Sequence, residues 1–294
     1  MPDFILSCES TVDLPKETLD EHSIEYIPFH FYLDDVEYPD DLGKTLSYDK
    51  FYQSMLDGAE THTAAISTGE YREFFKSFLA DGHDILHVSL SSGLSATVDS
   101  ARQAAESLAP EFPDRTIRIV DSLAASGGFG LFMITLADKR DSGMTLSDVA
   151  DWAEANKLYC HHEFFSTDLT FYIKGGRVKP VSGYVGNLLN ICPLLDVDRE
   201  GHLIPREKVR SKKKVIRRIV EKMAGYADDG ENYRGKVVIS HSFCPDDAAE
   251  VARLVTGRFP HLDGEPLITN IGTTIGSHSG PGTVALFFWG TERV

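Results

Sequence analysis

The chain has 294 residues, of which 42% are hydrophobic and 25% are charged, the composition of a globular protein with one large or two ordinary domains. Its 29 basic and 45 acidic residues give a net charge of −16 at pH 7. Such an acidic surface repels phosphate backbones, so we expect no nucleic-acid partner.

The four cysteines are scattered along the chain and form no CxxC pair. This usage predicts reduced thiols and a cytoplasmic protein. The most apolar long segment, 123–137, contains glycines and is too short to cross a bilayer. It predicts a buried helix and no stable membrane insertion.

Strands and helices alternate through the first half of the chain. The predicted strands are 3–7, 27–33, 36–38, 85–90 and 117–120. The predicted helices begin near Pro15, at 48, near Thr68, at 98, at 123 and at 145. Asp13 would cap the first of these helices, and a polar loop at 60–67 would precede the third. This alternation favours a parallel sheet covered by helices on both faces.

Small and hydroxyl-bearing residues follow the buried strand at 85–90. Ser91, Ser92 and Gly93 end the strand, Ser95 comes next, and a helical pattern follows. The serines should therefore lie at the carboxyl edge of a sheet and the amino end of a helix. Ligands bind at this edge in α/β proteins, and free N–H groups there favour an anion. Helix capping would account for only one of the three serines.

The pattern of elements changes near Asn156. The predicted elements are then a strand at 158–165, a short helix capped by Ser166 and ending at Gly175-Gly176, a hairpin at 194–206, a basic helix at 211–223, a strand and helix at 237–255, a strand at 267–270, a long small-residue loop and a strand at 284–289. We therefore predict an α/β protein with two domains. The first, at 1–157, has a parallel sheet, and the second, at 158–294, is α+β with a mixed sheet.

Catalytic motifs are incomplete. No Walker or dinucleotide-binding loop occurs in the chain. The segment 93–97 is one glycine short of the G-x-S-x-G nucleophile motif, and His278 lies downstream, as the hydrolase order requires. A serine hydrolase that uses Ser95 and His278 is therefore an alternative function, with its acidic partner left open among several aspartates.

Three further features have both a structural and a functional interpretation. His161 and His162 are adjacent, so a strand would point them to opposite faces and make a poor metal chelate; a half-exposed strand is the better prediction, and no metal site is expected. Arg177 follows two glycines. Its charge could equally bind a ligand or interact favourably with the dipole at the end of a helix. The basic cluster at 211–218 is either a solvated face or a docking patch for an acidic partner.

Five segments together resemble the DegV family of bacterial fatty acid-binding proteins. They are S-C-E-S-T-V-D-L-P at 7–15, L-S-S-G-L-S-A-T at 90–97, D-S-L-A-A-S-G-G-F-G at 121–130, I-K-G-G-R-V at 173–178 and I-G-S-H-S-G-P-G at 275–282. They occur in the family's order and span nearly the whole chain. The resemblance implies two domains with a long-chain fatty acid in the cleft between them, a carrier without catalysis of its own, and no cofactor.

The resemblance also implies roles for individual residues. The fatty acid carboxylate would be received by Thr63 and Ser95, with His278 close by. Ser92, Gly93 and Ser279 would complete these loops around the ligand. Arg177 would act in phosphotransfer to the carboxylate by a separate fatty acid kinase, the implied protein partner. The chain departs from the family pattern at Ala64, where the family has a second hydroxyl.

Burial of the hydrocarbon tail would supply most of the binding energy. A tail of ~15 methylenes gains ~12 kcal/mol before the costs of binding, whereas a hydrogen bond to a charged group contributes ~1.5–3 kcal/mol. The hydroxyl groups would therefore set the direction of the ligand. The candidate apolar lining residues are Leu94, Phe129, Phe164, Phe165, Ile191 and Leu194.

Overall fold

A four-stranded parallel sheet organises the first half of the chain. The computed structural model describes residues 4–179 and 191–294. The strands of this sheet, in spatial order, are β2 (Ile24–Ile27), β1 (Ile5–Glu9), β6 (Ile85–Ser89) and β7 (Ile117–Asp121). All its pairings are parallel. Every residue of β6 is buried, as a continuous apolar run predicts for a central parallel strand.

Helices cover this sheet, and their amphipathic patterns decide which face is buried. The helices of the first half are α1 (Lys16–Glu21), α2 (Tyr48–Leu56), α3 (Thr68–Ala80), α4 (Thr97–Leu108), α5 (Ser126–Asp141) and α6 (Leu146–Asn156). Ser67 caps α3 in a capping box with Glu70. Helix α5 is buried nearly all round, which confirms the prediction for 123–137.

A small antiparallel sheet stands beside the parallel one. It contains β4 (Val36–Pro39), β3 (His30–Leu33) and β5 (Thr61–Ala64), in that order. The predicted single strand at 27–33 is therefore wrong, because β2 and β3 belong to different sheets. The predicted loop at 60–67 is also wrong in part, since β5 pairs with β3 across a long stretch of sequence. The hairpin turn at Asp34-Asp35 has φ of 48° and 64°, as a primed turn requires.

The second half forms a six-stranded mixed sheet, as predicted. Its strands, in spatial order, are β10 (Leu203–Arg210), β9 (Ile191–Val197), β8 (Cys160–Ser166), β13 (Thr283–Trp289), β11 (Val238–His241) and β12 (Leu267–Asn270). Among the described strands of this sheet, only β11 and β12 pair in parallel. In the described part of this half, the helices are α7 (Thr170–Lys174), α8 (Lys212–Tyr226), α9 (Pro245–Arg258) and α10 (Thr273–Ser279).

The structure corrects three local predictions, two of them in this half and one at Asp13. Helix α10 occupies part of the expected small-residue loop. Strand β8 is buried along its whole length and not half-exposed. Asp13 does not cap α1; it ends a preceding 3-10 turn in the left-handed region, with φ of 51°, and its buried carboxylate accepts a hydrogen bond from Ser126.

Helix α5 packs against both large sheets. On one side Phe132 and Met133 lie in the core of the parallel sheet, and on the other side Leu131 lies in a core with residues of the mixed sheet. Gly127 and Gly128 permit the close approach, because a Cβ atom there would collide with Ser240 and His162 respectively. The boundary predicted at residue 157 stays a prediction.

The four cysteines are unpaired thiols in the structure. Within residues 4–179 and 191–294, no helix has both the length and the apolar character needed to cross a membrane.

Candidate functional site

A deep cavity lies between the loops at the carboxyl edge of the parallel sheet, helix α10 and one face of the mixed sheet. Its empty space, open end included, is about 880 Å³. Its wall is mostly apolar. The large apolar residues that line it are Phe29, Leu90, Leu94, Phe164, Val197, Leu203, Ile271, Ile275 and Phe287.

Four polar residues gather at the less buried end of this cavity. Thr63 Oγ1 lies 2.8 Å from Nε2 of His278, and Nδ1 of the same ring lies 3.3 Å from a terminal nitrogen of Arg177. Arg177 also donates through Nε to the carbonyl of Leu94, at 3.3 Å, next to Ser95. Thr63, Ser95, Arg177 and His278 all line the cavity. Residues from four distant segments thus form one polar group.

The protonation of His278 follows from its two neighbours. Burial, and then the charge of Arg177, lower the pKa of His278 to about 4, so the ring is neutral at pH 7. A guanidinium only donates hydrogen bonds, so Nδ1 must accept and Nε2 must carry the proton. Nε2–H therefore donates to Thr63 Oγ1. The hydroxyl proton of Thr63 remains free to donate into the cavity.

The Ser95 hydroxyl, like that of Thr63, accepts one hydrogen bond and keeps its own proton free. Its Oγ accepts a hydrogen bond from the backbone N–H of Thr97 at 3.3 Å, at the start of α4. Its own proton is therefore available to a ligand. Two hydroxyl donors and a guanidinium at one end of an apolar cavity suit an anionic group with an apolar tail.

The buried carboxylate of Glu9 fixes both ends of the loop that carries Ser95. It accepts the N–H of Leu90 at 2.9 Å and the hydroxyl of Tyr71 at 2.6 Å, and the same tyrosine hydroxyl lies 2.9 Å from Thr97 Oγ1. Burial alone would raise the pKa of Glu9, but hydrogen bonds from neighbours that include His87 lower it, so the carboxylate stays charged. Sequence reasoning missed this residue, although a charge at the end of an apolar strand was a visible signal.

Ser91 and Gly93 attach the loop to the β9–β10 hairpin. Ser91 Oγ donates to the carbonyl of Gly201 at 2.9 Å and accepts the N–H of Gly93 at 3.1 Å. A Cβ atom at Gly93 would collide with the backbone of Gly201. Gly93 is therefore placed for packing and does not line the cavity. Ser92 is exposed, also lies outside the cavity, and donates its N–H to Asp121.

Of the remaining residues that were predicted to line the cavity, some do so and others lie elsewhere. Ser279 lines the cavity next to His278, and among the apolar candidates Leu94 and Phe164 do so. Phe129, Phe165 and Leu194 lie in hydrophobic cores instead, and Ile191 is not part of the lining. Ala65 lines the cavity, whereas Ala64 does not.

A serine hydrolase is not supported by this geometry. His278 Nε2 faces Thr63 and not Ser95, and its Nδ1 faces Arg177, whereas a triad histidine needs a carboxylate at that position. A histidine whose pKa is about 4 is also a weak general base at pH 7.

The adjacent histidines of β8 do point to opposite faces. His161 stacks between Tyr226 and Phe288. His162 lines the cavity, where its Nε2 accepts from the N–H of Ala125 at 3.4 Å. Across the described ranges, no group of three or more histidine, cysteine, aspartate or glutamate side chains is arranged to hold a metal ion.

The basic helix α8 is partly neutralised by its own surroundings. Lys212 pairs with Asp247 at 2.8 Å, and Arg218 pairs with Glu207 at 2.8 Å. Lys213 is exposed. A docking role for this surface stays a prediction.

Comparison with known proteins gives consistent matches over the whole length. A family model described as an uncharacterised protein of the DegV family matches residues 6–291. A DegV domain-containing protein of Clostridium perfringens is 31% identical over 293 residues, 100% of this chain and 99% of the relative. A fatty acid-binding protein of Thermotoga maritima is 30% identical over 290 residues, 97% of each chain. A solved structure described as fatty acid binding of a DegV family protein from Thermus thermophilus has a TM-score of 0.86 and 25% identity, covering 99% of this chain and 100% of the other. These names describe a family or a binding function, and none describes catalysis.

Proposed function

The chain belongs to the DegV family, and on this premise we propose that it binds a long-chain fatty acid, with the carboxylate at Thr63 and Ser95 and the tail in the apolar part of the cavity. The observation that carries the proposal is the state of the two hydroxyls. Each has its acceptor position occupied, by His278 Nε2–H or by the N–H of Thr97, and each retains a free proton. A carboxylate can accept both.

The shape and chemistry of the cavity support the same ligand. The polar group stands at the less buried end, and residues such as Phe164 and Phe287 line the rest. Burial of ~15 methylenes supplies about 12 kcal/mol before binding costs. The relatives from Thermotoga maritima and Thermus thermophilus are described as fatty acid-binding.

Native mass spectrometry of the purified protein tests the proposal. We expect a bound mass equal to a fatty acid, released by delipidation and restored by added hexadecanoic acid. A protein that is empty as purified and refuses hexadecanoic acid would contradict the proposal. A fluorophosphonate probe, added in parallel, should leave Ser95 unlabelled, because no histidine base faces its hydroxyl.

The second part of the proposal concerns a separate fatty acid kinase, which the family resemblance implies. The carboxylate end is the less buried end of the cavity, so a kinase could reach it there. Arg177 stands beside it and could neutralise charge during transfer of a phosphoryl group to a carboxylate oxygen. No Walker-type phosphate loop is present in the chain, so the nucleotide would be bound by the partner.

Acyl-phosphate formation measures this second part. The protein loaded with hexadecanoic acid, a bacterial fatty acid kinase subunit and ATP should yield an acyl phosphate that hydroxylamine traps. Arg177→Gln should lower the yield strongly, and Lys174→Gln, which changes an exposed cation three residues earlier, should not. Equal yields from both variants would remove Arg177 from the transfer step.

A further inference from the structure

Several buried hydroxyl groups interrupt the apolar wall of the cavity, and three of them are the most deeply buried. Tyr172, Ser279 and Thr283 all line the cavity and are at most 3% exposed. The hydroxyls of Tyr172 and Thr283 lie 3.0 Å apart and bond to each other. A plain hydrocarbon tail has no atom that could bond to this group.

Ser279 is the member of the group that lacks a partner. Its hydroxyl lies beside that of Tyr172, but Oγ makes no hydrogen bond of ordinary geometry with any described residue. A buried hydroxyl without a partner is unfavourable, and native proteins seldom keep one unless another molecule satisfies it. The missing partner should therefore come from the occupant of the cavity.

The position of Ser279 fixes which part of a ligand it meets. It follows His278 directly, and the Cα atoms of consecutive residues are ~3.8 Å apart. His278 belongs to the polar group that would hold the carboxylate. Both residues line the cavity, and on this ground we place Ser279 beside the first few carbons of the ligand.

Resting on the proposed function, we infer that the acyl chain preferred by this cavity carries a hydroxyl group on a carbon close to the carboxylate. Such a hydroxyl donates to Ser279 Oγ or accepts its proton, and the Tyr172–Thr283 pair offers a further acceptor. The hydroxyl groups of the wall thus select a 2- or 3-hydroxy fatty acid over the unsubstituted acid of the same length.

Competition binding with matched acids tests the inference. Delipidated protein is titrated with hexadecanoic, 2-hydroxyhexadecanoic and 3-hydroxyhexadecanoic acid. We expect at least one hydroxy acid to bind about 5-fold more tightly than hexadecanoic acid, the value of one ordinary hydrogen bond. Ser279→Ala should abolish that preference.

Ser277→Ala is the matched control. Ser277 is buried on the same helix, but its hydroxyl already donates to the carbonyl of Thr273 at 2.8 Å and it does not line the cavity. This variant should keep the preference. Equal affinities for all three acids in the unaltered protein, or a preference that survives Ser279→Ala, would overturn the inference while the fatty acid proposal stands. Failure to bind any of the three acids would instead remove the fatty acid proposal itself.

Discussion

The Thr63 hydroxyl lies 2.8 Å from Nε2 of His278, although 215 positions separate the two residues. Thr63 is on β5 of the small sheet, and His278 is in the last turn of α10. Because Arg177 occupies the other ring nitrogen, His278 donates to Thr63 and leaves the threonine proton free. The ability of Thr63 to hold an anion is thus determined by an arginine bound to the other nitrogen of the imidazole ring.

Loss of either hydroxyl donor should weaken fatty acid binding. A hydrogen bond to a charged group contributes about 1.5–3 kcal/mol, so Thr63→Val and Ser95→Ala should each lower the affinity for hexadecanoate roughly 10- to 100-fold. Isothermal titration calorimetry of delipidated protein measures this. Ser92→Ala, which removes an exposed hydroxyl outside the cavity, should bind normally; equal loss in all three variants would contradict the assignment.

Removal of the Arg177 charge should raise the pKa of His278. Burial is the first cause that lowers this pKa to about 4, and Arg177 is the second, so Arg177→Gln should raise the pKa only part of the way towards 6.5. An NMR titration of the imidazole protons reads it directly. Lys174→Gln serves as the control, since that exposed cation pairs with Glu60. An unchanged pKa of His278 in Arg177→Gln would show that the protonation of the imidazole ring does not depend on the arginine.

Acid should destabilise the protein below about pH 6.5. Burial lowers the pKa of His161 and His278 to about 4 and that of His162 well below 6.5. The unfolded chain takes up protons that the folded chain refuses, so stability is lost as the pH falls from 6.5 towards 4. His161 and His278 each contribute up to about 3 kcal/mol to this loss.

Urea denaturation of His161→Gln isolates one of these contributions. The difference in unfolding free energy between pH 7.5 and pH 4.5 should be smaller in the variant than in the unaltered protein. At pH 7.5 both forms have an uncharged side chain there, so that measurement reports the lost stacking on Tyr226 and Phe288 and the lost hydrogen bond to the carbonyl of Thr291. An identical pH dependence in both proteins would rule out His161 as a source.

Glu163 should give the opposite pH dependence. Its side chain is 1% exposed, Oε2 has no partner among the described residues, and burial raises its pKa to about 8. A raised pKa means that stability is complete below about 4.5 and is lost as the pH rises through about 8. Glu163→Gln should therefore be roughly 2–4 kcal/mol more stable than the unaltered protein at pH 9 and about equal to it at pH 4.5. A variant that is no more stable at pH 9 would contradict this.

Local signals predicted much of the fold. Helix α2 begins at Tyr48 and α3 begins at Thr68, where their patterns indicated helix starts. Strand β5 was missed because T-H-T-A is short and polar, and only its distant partner β3 makes it a strand. Helix α10 was missed because glycine and serine favour a loop; the buried carboxylate of Asp40, which bonds to Thr273 and Thr274, holds its first turn in place.

The candidate site was predictable to a smaller extent. The family motifs selected Thr63, Ser95 and His278, and these residues line one cavity. The contact between Arg177 and His278 could not be predicted, because no local pattern encodes a contact over 101 positions. The place of Gly93 against the β9–β10 hairpin was hidden for the same reason.

The packing of α5 against both large sheets determines how the protein unfolds. If residues 1–157 were expressed alone, Leu131 and the glycine face at 127–128 would be exposed to water without the mixed sheet that covers them. Such a fragment should be prone to aggregation. We therefore expect the full chain to unfold in one cooperative transition, so that a bound ligand protects both halves from proteolysis to the same extent.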